Sequence, residues 1–347
     1  MGGVVSSIDM NKVLSKDIQK FVDTFELANE LSGRRFLITG ATGLVGAALI
    51  RCLLALNRGI EIVAPVRDLA KAKAMFAETP VRLVECDIVE YDYDSIGGVD
   101  YVVHCAAPTA SKHFIEYPVE TANVIYKATE KLLHFCAKHS VKGFLFVSSM
   151  EVYGTVSGKE MVTEDMQGYL NPMDVRSSYP MAKRMAENLC CLYASEYGVN
   201  ATIARLSQTT GAGVAKNDLR AITQFVRCAV DGKDIVLHTE GVSARPYCYT
   251  TDAVSAFLYI LLRGEKGQAY NVANEETYTS IRALVERVKA LLNDTINISV
   301  EIDNSQGYAP ESFLPLSTGK LQSLGWMPQY DLDHILMRLA DYLKDYE

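Results

Sequence analysis

No stretch of this chain approaches the ~18 consecutive apolar residues that a membrane-spanning helix requires. Its apolar runs are short, and one of the longest, residues 47–56, carries Arg51. No long lysine or arginine run is present. With 42 acidic against 34 basic residues and a net charge of −8, the chain lacks the basic footprint of a nucleic-acid binder. Low-complexity tracts and internal repeats are missing too. A composition of 49% hydrophobic and 22% charged residues excludes a disordered or collagen-like chain. Eight cysteines occur, at 52, 86, 105, 136, 190, 191, 228 and 248, none in a Cys-x-x-Cys spacing. That argues against a zinc ribbon and, at this length, against a disulfide scaffold. No cluster of histidine, cysteine and carboxylate has metal-ligand spacing, so no metal is expected. The first residues lack a basic segment followed by an apolar one, so no secretory signal is expected, although Met1-Gly2 with Ser6 formally matches the myristoylation pattern. These absences leave a cytoplasmic protein with buried free thiols and no membrane or nucleic-acid partner.

What is present is alternation. In residues 1–33, Leu14, Ile18, Phe21, Val22, Phe25 and Ala28 recur at helical spacing, which predicts an N-terminal helical extension ended by Ser32-Gly33. From Arg34 onward, apolar β-branched runs at 35–39, 61–66, 81–86, 101–106, 143–148 and 201–206 are separated by longer helical stretches, notably 45–56, 121–139 and 181–197. Strand–helix alternation with nearly all-apolar strands predicts an α/β fold over 34–206, a doubly wound parallel sheet covered on both faces. At roughly 150 residues per domain, 347 residues suggest about two domains. Residues 207–347 read mainly as a small α/β substrate cap, with room to return a strand to the main sheet. Helices are expected there at 219–230, 252–262, 280–292 and 332–346, and strands at 234–237, 269–272 and 297–302.

The run GATGLVG follows the first strand and opens the first helix. Gly40, Gly43 and Gly46 permit a tight turn and a close backbone approach to a pyrophosphate, with Thr42, Leu44 and Val45 completing the loop. A purely structural glycine turn is the alternative. Val66-Arg67-Asp68 closes the second strand, where an acidic residue would hydrogen-bond a ribose 2′-hydroxyl. Arg67 suits a 2′-phosphate instead, which leans the cofactor from NAD toward NADP. Against that, Arg67 would merely cover the adenine while Asp68 serves NAD. Asp87, followed by Ile88, ends the third strand and either accepts from the adenine amino group or caps a helix. Tyr179 and Lys183 stand four residues apart, on one helical face. A neighbouring ammonium favours a phenolate, so Tyr179 is a candidate base, with Ser149 on the preceding strand end to orient the same hydroxyl. A solvated helix face is the bland reading of that pair. His104, Lys112, His113, the Cys190-Cys191 pair and Trp326 with Pro328 read as packing or surface residues.

With these motifs in order, the chain resembles an extended short-chain dehydrogenase/reductase of the NAD-dependent epimerase/dehydratase family. The carrying residues are GATGLVG, VHCAAP (103–108), FVSSMEVYG (146–154), YPMAK (179–183), ARLSQTTGAG (204–213), RPYCYTTD (245–252), YNVAN (270–274) and LSTGKLQSLGWMP (316–328). The resemblance implies a Rossmann-type fold, a homodimer pairing helices 121–139 and 181–197, and a nucleotide-diphospho-sugar substrate oxidised at C4 with tightly held NAD(P). It implies Tyr179 as base, Lys183 as its partner and Ser149 as the orienting hydroxyl. Ala106 and Ala107 would line the cofactor, Arg245 would contact the diphosphate, and Gln208 stands where most relatives have asparagine near the substrate. Met150 and Glu151 would face the sugar with Ser149. Sugar 4,6-dehydratases carry an acid–base pair at those two positions, and Met150 cannot donate a proton. Glu151 could remove a C5 proton or only hydrogen-bond the sugar. The local pattern is similar to UDP-glucuronate decarboxylases, which share Glu151, Arg176 and Lys-Arg-x-Ala-Glu (183–187) but differ at Met150 and near Thr318. An epimerase is therefore the leading expectation. A lyase follows, then an NADPH-dependent carbonyl reductase, and last a non-catalytic dinucleotide binder.

Overall fold

The computed structural model describes residues 11–109, 111–158, 160–303 and 311–345. The myristoylation pattern at the N-terminus and the end of the expected last helix lie outside these residues. Twelve strands are described: β1 Arg35–Thr39, β2 Glu61–Val66, β3 Val81–Glu85, β4 Tyr101–His104, β5 Gly143–Ser149, β6 Ala201–Leu206, β7 Gln208–Thr210, β8 Ile235–Leu237, β9 Ala244–Tyr249, β10 Ala269–Val272, β11 Asn274–Ser280 and β12 Ile298–Val300. The helices are α1 Lys12–Thr24, α2 Leu44–Ala55, α3 Leu69–Met75, α4 Ser111–Glu116, α5 Pro118–His139, α6 Ser178–Glu196, α7 Ala221–Val230, α8 Thr250–Arg263, α9 Ile281–Leu292, α10 Gly319–Gln322 and α11 Leu332–Lys344.

Seven strands form one sheet in the order β10-β6-β5-β4-β1-β2-β3, and every pairing within it is parallel. Strands buried on both faces alternate their side chains between two cores. Phe36 and Ile38 of β1 join the cluster that holds Leu49 and Leu53 of α2 and Phe257 of α8. Leu37 between them joins the opposite cluster, with Ile125 and Leu132 of α5 and Ala186 of α6. The chain steps outward from β1 to β2 and β3, then returns to the other side of β1 with β4. That reversal opens a crevice at the carboxyl ends of β1 and β4.

Residues after 206 do not form a separate layer. β10 pairs with β6 and extends the main sheet, while β7, β9 and β11 make a second, three-stranded sheet beside it. The sequence pattern missed β7, β9 and β11, as well as the short α3, α4 and α10. β11 buries only Asn274 and Thr277 of a polar run, NEETYTS, so it shows no two-residue period and carries no apolar β-branched residue. The N-terminal helix is also shorter than its spacing suggests. It stops at Thr24, and a turn of 3₁₀ helix over Ala28–Leu31 carries the last expected position. Asp17 of α1 is 1% exposed, and it accepts from Tyr249 Oη at 2.5 Å and pairs with Arg338 of α11. The extension is thereby tied to β9 and to the last helix.

Candidate active site

The glycine loop is tight for identifiable reasons. Gly40 has φ +73°, and a Cβ there would stand 2.7 Å from the Ala106 nitrogen; a Cβ on Gly46 would stand 2.2 Å from the Gly40 oxygen. Glycine at 46 lets α2 pack onto the loop, and glycine at 40 lets the loop lie against Ala106 at the end of β4. Gly43 is the N-cap of α2 and provides no side-chain cap, so the first N–H groups of the helix remain open to an anion. This cradle, filled by any Cβ and ending on an uncapped helix, fits a dinucleotide pyrophosphate. Thr39 bridges its floor: its Oγ1 accepts from Ala106 N at 3.3 Å and lies 2.7 Å from His104 Nδ1. His104 is fully buried, and burial holds its imidazole neutral, with a pKa lowered to about 3.

At the ends of β2 and β3 the carboxylates have local tasks. Asp68 caps α3, accepting from Lys71 N at 2.8 Å. Asp87 closes a turn by accepting from Val89 N at 2.8 Å, and Ile88 behind it is buried. Arg67 is exposed, and no described residue pairs with it.

The end of β5 and one face of α6 meet at three successive residues. The Val147 carbonyl accepts from Lys183 Nζ at 2.7 Å, Ser148 Oγ donates to Glu187 Oε1 at 2.5 Å, and Ser149 hydrogen-bonds Tyr179. Positions 179, 183 and 187 repeat every four residues, so one helical face carries all three partners. Tyr179 is 7% exposed and Lys183 2% exposed, with the ammonium 5.7 Å from the phenol ring centre. Burial drives the phenol's pKa upward, the Glu151 charge adds to this, and the Ser149 hydrogen bond opposes it. Burial lowers Lys183 to about 8, against the pull of Glu187. Ser149 Oγ also accepts from Glu151 N at 3.2 Å, which fixes the serine at the head of a short 3₁₀ turn, Met150–Tyr153.

Glu151 points toward arginine. Arg176 Nη1 lies 3.4 Å from its Oε2. Arg245 is lowered by burial, while Glu151 acts on it in the opposite sense and Arg176 reinforces the lowering. The three groups thus share one electrostatic neighbourhood. Gln208 of β7 stands opposite Tyr247 of β9, two residues along the strand from Arg245. Arg245 itself donates to Ser312 Oγ at 2.8 Å. Met150 departs from the sequence-based expectation. It is 2% exposed and packs with Val152, Val162, Leu314 and Leu316, so its side chain is given to an apolar cluster and not to the cleft.

Two contacts were invisible in the sequence. Phe114 of α4 stacks on Tyr179 with ring centres 4.3 Å apart. Arg205 of β6 closes on Glu187, with Nη2 2.7 Å from Oε2. Only the Lys-Arg-x-Ala-Glu run hinted at the second. Lys112 and His113 lie on α4, where His113 Nδ1 meets Thr121 Oγ1 at 3.0 Å. Trp326 is a buried anchor that donates to Ser255 Oγ at 2.9 Å. Among the described residues no group of His, Cys, Asp and Glu could hold a metal, and no helix is long and apolar enough to cross a membrane.

The profile of the NAD dependent epimerase/dehydratase family matches residues 36–273. UDP-glucuronic acid decarboxylase 5 of Arabidopsis thaliana is 30% identical over 305 residues, 87% of this chain and 86% of the relative. UDP-glucuronic acid decarboxylase 1 of Danio rerio is 27% identical, covering 90% of this chain and 73% of the relative. Among solved structures, a UDP-glucose 4-epimerase of Thermotoga maritima with UDP-glucose aligns with a TM-score of 0.78 at 20% identity, over 90% of this chain and 99% of that one. A UDP-glucuronic acid 4-epimerase of Bacillus cereus, in complex with UDP-glucuronic acid and NAD, aligns at 0.77 and 19% identity, over 90% of this chain and all (100%) of that one. These structural likenesses establish the Rossmann-type fold.

Proposed function

The chain belongs to the NAD-dependent epimerase/dehydratase family of enzymes, and on that footing we propose that it oxidises a nucleotide-diphospho-sugar at C4 and returns the sugar as its C4 epimer. The observation that carries this reading is the triple attachment of β5 to α6, which gathers Ser149, Tyr179 and Lys183 beside the glycine loop. A bound nicotinamide dinucleotide would supply the redox partner at C4 and a positive charge near the phenol. Gly40, Thr42, Gly43, Leu44, Val45 and Gly46 would hold its pyrophosphate, with Ala106, against which Gly40 packs, and Ala107 lining the cofactor beside them. Arg67 and the engagement of Asp68 in capping favour NADP over NAD.

In this mechanism Ser149 orients the C4 hydroxyl and Tyr179 takes its proton. Lys183 favours the phenolate electrostatically, and Tyr179 returns the proton on re-reduction. Arg245 would bind the diphosphate beside Gln208. The relatives' activity supports a second reading, in which the sugar is a uronic acid and loses its carboxyl group after C4 oxidation. The Glu151–Arg176 pair favours it, because Arg176 could meet a second carboxylate on the substrate. We further infer a cytoplasmic homodimer, from the free cysteines and from the apolar stripe Met181, Met185 and Leu192 exposed along α6.

The deciding experiment incubates the purified protein with UDP-glucose and with UDP-glucuronic acid and reads the products by NMR. Appearance of the C4 epimer supports the first reading. Release of carbon dioxide with a pentose product supports the second. Reaction with free carbonyl compounds and added NADPH alone would replace both with a reductase.

A further inference from the structure

We propose that Glu187 is a positioning residue for the Tyr179–Lys183 pair, seating α6 against the end of β5 and supplying the negative charge that faces the Lys183 ammonium. The assignment of Tyr179 and Lys183 as the reacting pair underlies this step.

Glu187 is 7% exposed and fully engaged. Its Oε1 receives Ser148 Oγ at 2.5 Å and Arg205 Nε at 3.1 Å, and its Oε2 receives Arg205 Nη2 at 2.7 Å. Arg205 continues to Tyr153 Oη at 3.0 Å and to the Glu164 carbonyl at 2.7 Å; Tyr153 Oη donates to Asn271 Oδ1 at 2.7 Å. One carboxylate therefore connects α6 to β5 and β6 directly and to β10 through Tyr153. Ser148 lies between the residue that holds Lys183 and the residue that holds Tyr179. A shift of the Glu187 contact would move both neighbours together.

The charge argument starts from the same helical face, on which Glu187 stands one turn beyond Lys183. The groups acting on Lys183 are Cys105, Cys190 and Glu187. Burial pushes Cys105 up to about 12 and Cys190 well above the usual thiol range, so neither is an anion near neutral pH. His104 is held neutral, and Tyr179 is pushed upward. Glu187 is thus the one carboxylate in this set. It works against the burial that brings Lys183 down to about 8.

The test is the pH dependence of kcat and kcat/KM for Glu187→Gln on whichever nucleotide sugar the wild type converts. Loss of the charge lets Lys183 shed its proton sooner, so the alkaline limb should move down by roughly one pH unit. Ser148→Ala keeps the carboxylate and should lower kcat while leaving the limb in place. Glu187→Asp should bring the limb back toward the wild-type position. A Glu187→Gln activity reduced by the same factor at every pH would make the residue purely structural and overturn the proposal. Should Glu187→Gln not fold, Glu187→Met combined with Arg205→Met removes both charges. Because the Arg205 cation leaves with the carboxylate, a smaller downward shift is then expected, and a wild-type limb overturns the proposal. A Tyr179→Phe variant that kept its activity would sink the underlying assignment instead. An inactive Tyr179→Phe beside an unmoved Glu187→Gln limb sinks the Glu187 proposal alone.

Discussion

The Phe114 ring lies flat on the Tyr179 ring, with centres 4.3 Å apart and planes 8° from parallel. The Phe114 carbonyl also accepts from Ser178 Oγ at 3.0 Å, so Phe114 of α4 holds the first turn of α6 through both its ring and its backbone. This stack depends on the ring and not on the hydroxyl. Tyr179→Phe should therefore fold normally, with a melting temperature close to wild type. Turnover should drop by about 10²–10⁴-fold, the range for loss of a general acid–base group. Steady-state kinetics beside thermal melts check both halves. A variant that kept most of its turnover would remove Tyr179 from the chemistry.

The glycine loop offers a steric prediction. In Gly46→Ala the new Cβ would meet the Gly40 carbonyl at 2.2 Å, a backbone atom that cannot swing aside. Either α2 moves away from β1 or the loop distorts, at a cost of about 1–3 kcal/mol or more. A lower melting temperature and lost dinucleotide affinity in calorimetry are expected together. Gly33→Ala is the comparison, since nothing lies within 4 Å of a Cβ there and only its φ of +66° resists the change.

Arg67 sets a prediction about cofactor choice. It is exposed and unpaired among the described residues, while Asp68 is occupied at the head of α3. A charge-assisted contact to a 2′-phosphate is worth about 1.5–3 kcal/mol, so Arg67→Ala should weaken NADP by roughly 10- to 150-fold and leave NAD nearly unchanged. Titration of both dinucleotides into the wild type and the variant measures this. An unchanged ratio would mean that Arg67 does not read the phosphate.

The parts legible in the sequence were those carried by local periodicity. The strands of the main sheet and the long helices followed from apolar runs and 3.6-residue spacing, because each is buried on a face that repeats within the segment. Tyr179, Lys183 and Ser149 were legible as a constellation for a related reason: spacing puts the first two on one helical face, and the third ends the strand before it. Phe114, Arg205 and the packing of Met150 were not legible. Phe114 and Tyr179 stand 65 positions apart and Arg205 lies 18 beyond Glu187. Met150 turns away at a 3₁₀ turn that has no period to reveal it. β9 reads as a motif and β11 is not read at all, because the partners of β9 are the short β7 and, across an irregular register between Asn274 and Thr279, β11.

The stripe on α6 carries a prediction about assembly. Met181, Met185 and Leu192 are 37%, 42% and 49% exposed on the helix that also bears Tyr179. If α6 and α5 meet their copies in a second chain, Met185→Glu places two like charges in an apolar interface. Sedimentation should then show a dimer for the wild type and a monomer for the variant. A wild-type monomer at micromolar concentration would remove the homodimer from the proposal.

His104 makes stability depend on pH in one direction. Thr39 Oγ1 accepts from Ala106 N and also meets His104 Nδ1 at 2.7 Å, a contact that the neutral imidazole makes in either tautomer. The folded state holds this group neutral down to about pH 3, whereas its ordinary value is 6.5. The unfolded chain therefore takes up a proton first as the pH falls. Stability is full above about 6.5 and declines below it, by up to about 1.4 kcal/mol per pH unit from this residue. In His104→Asn an amide oxygen can still accept from Thr39 but nothing titrates there. The variant should be less stable at pH 7.5, because it leaves a small cavity, yet its melting temperature should fall less steeply between pH 7 and pH 5. Parallel slopes for the two proteins would show that the acid sensitivity lies elsewhere, and that the floor beneath Ala106 tolerates a charged imidazole.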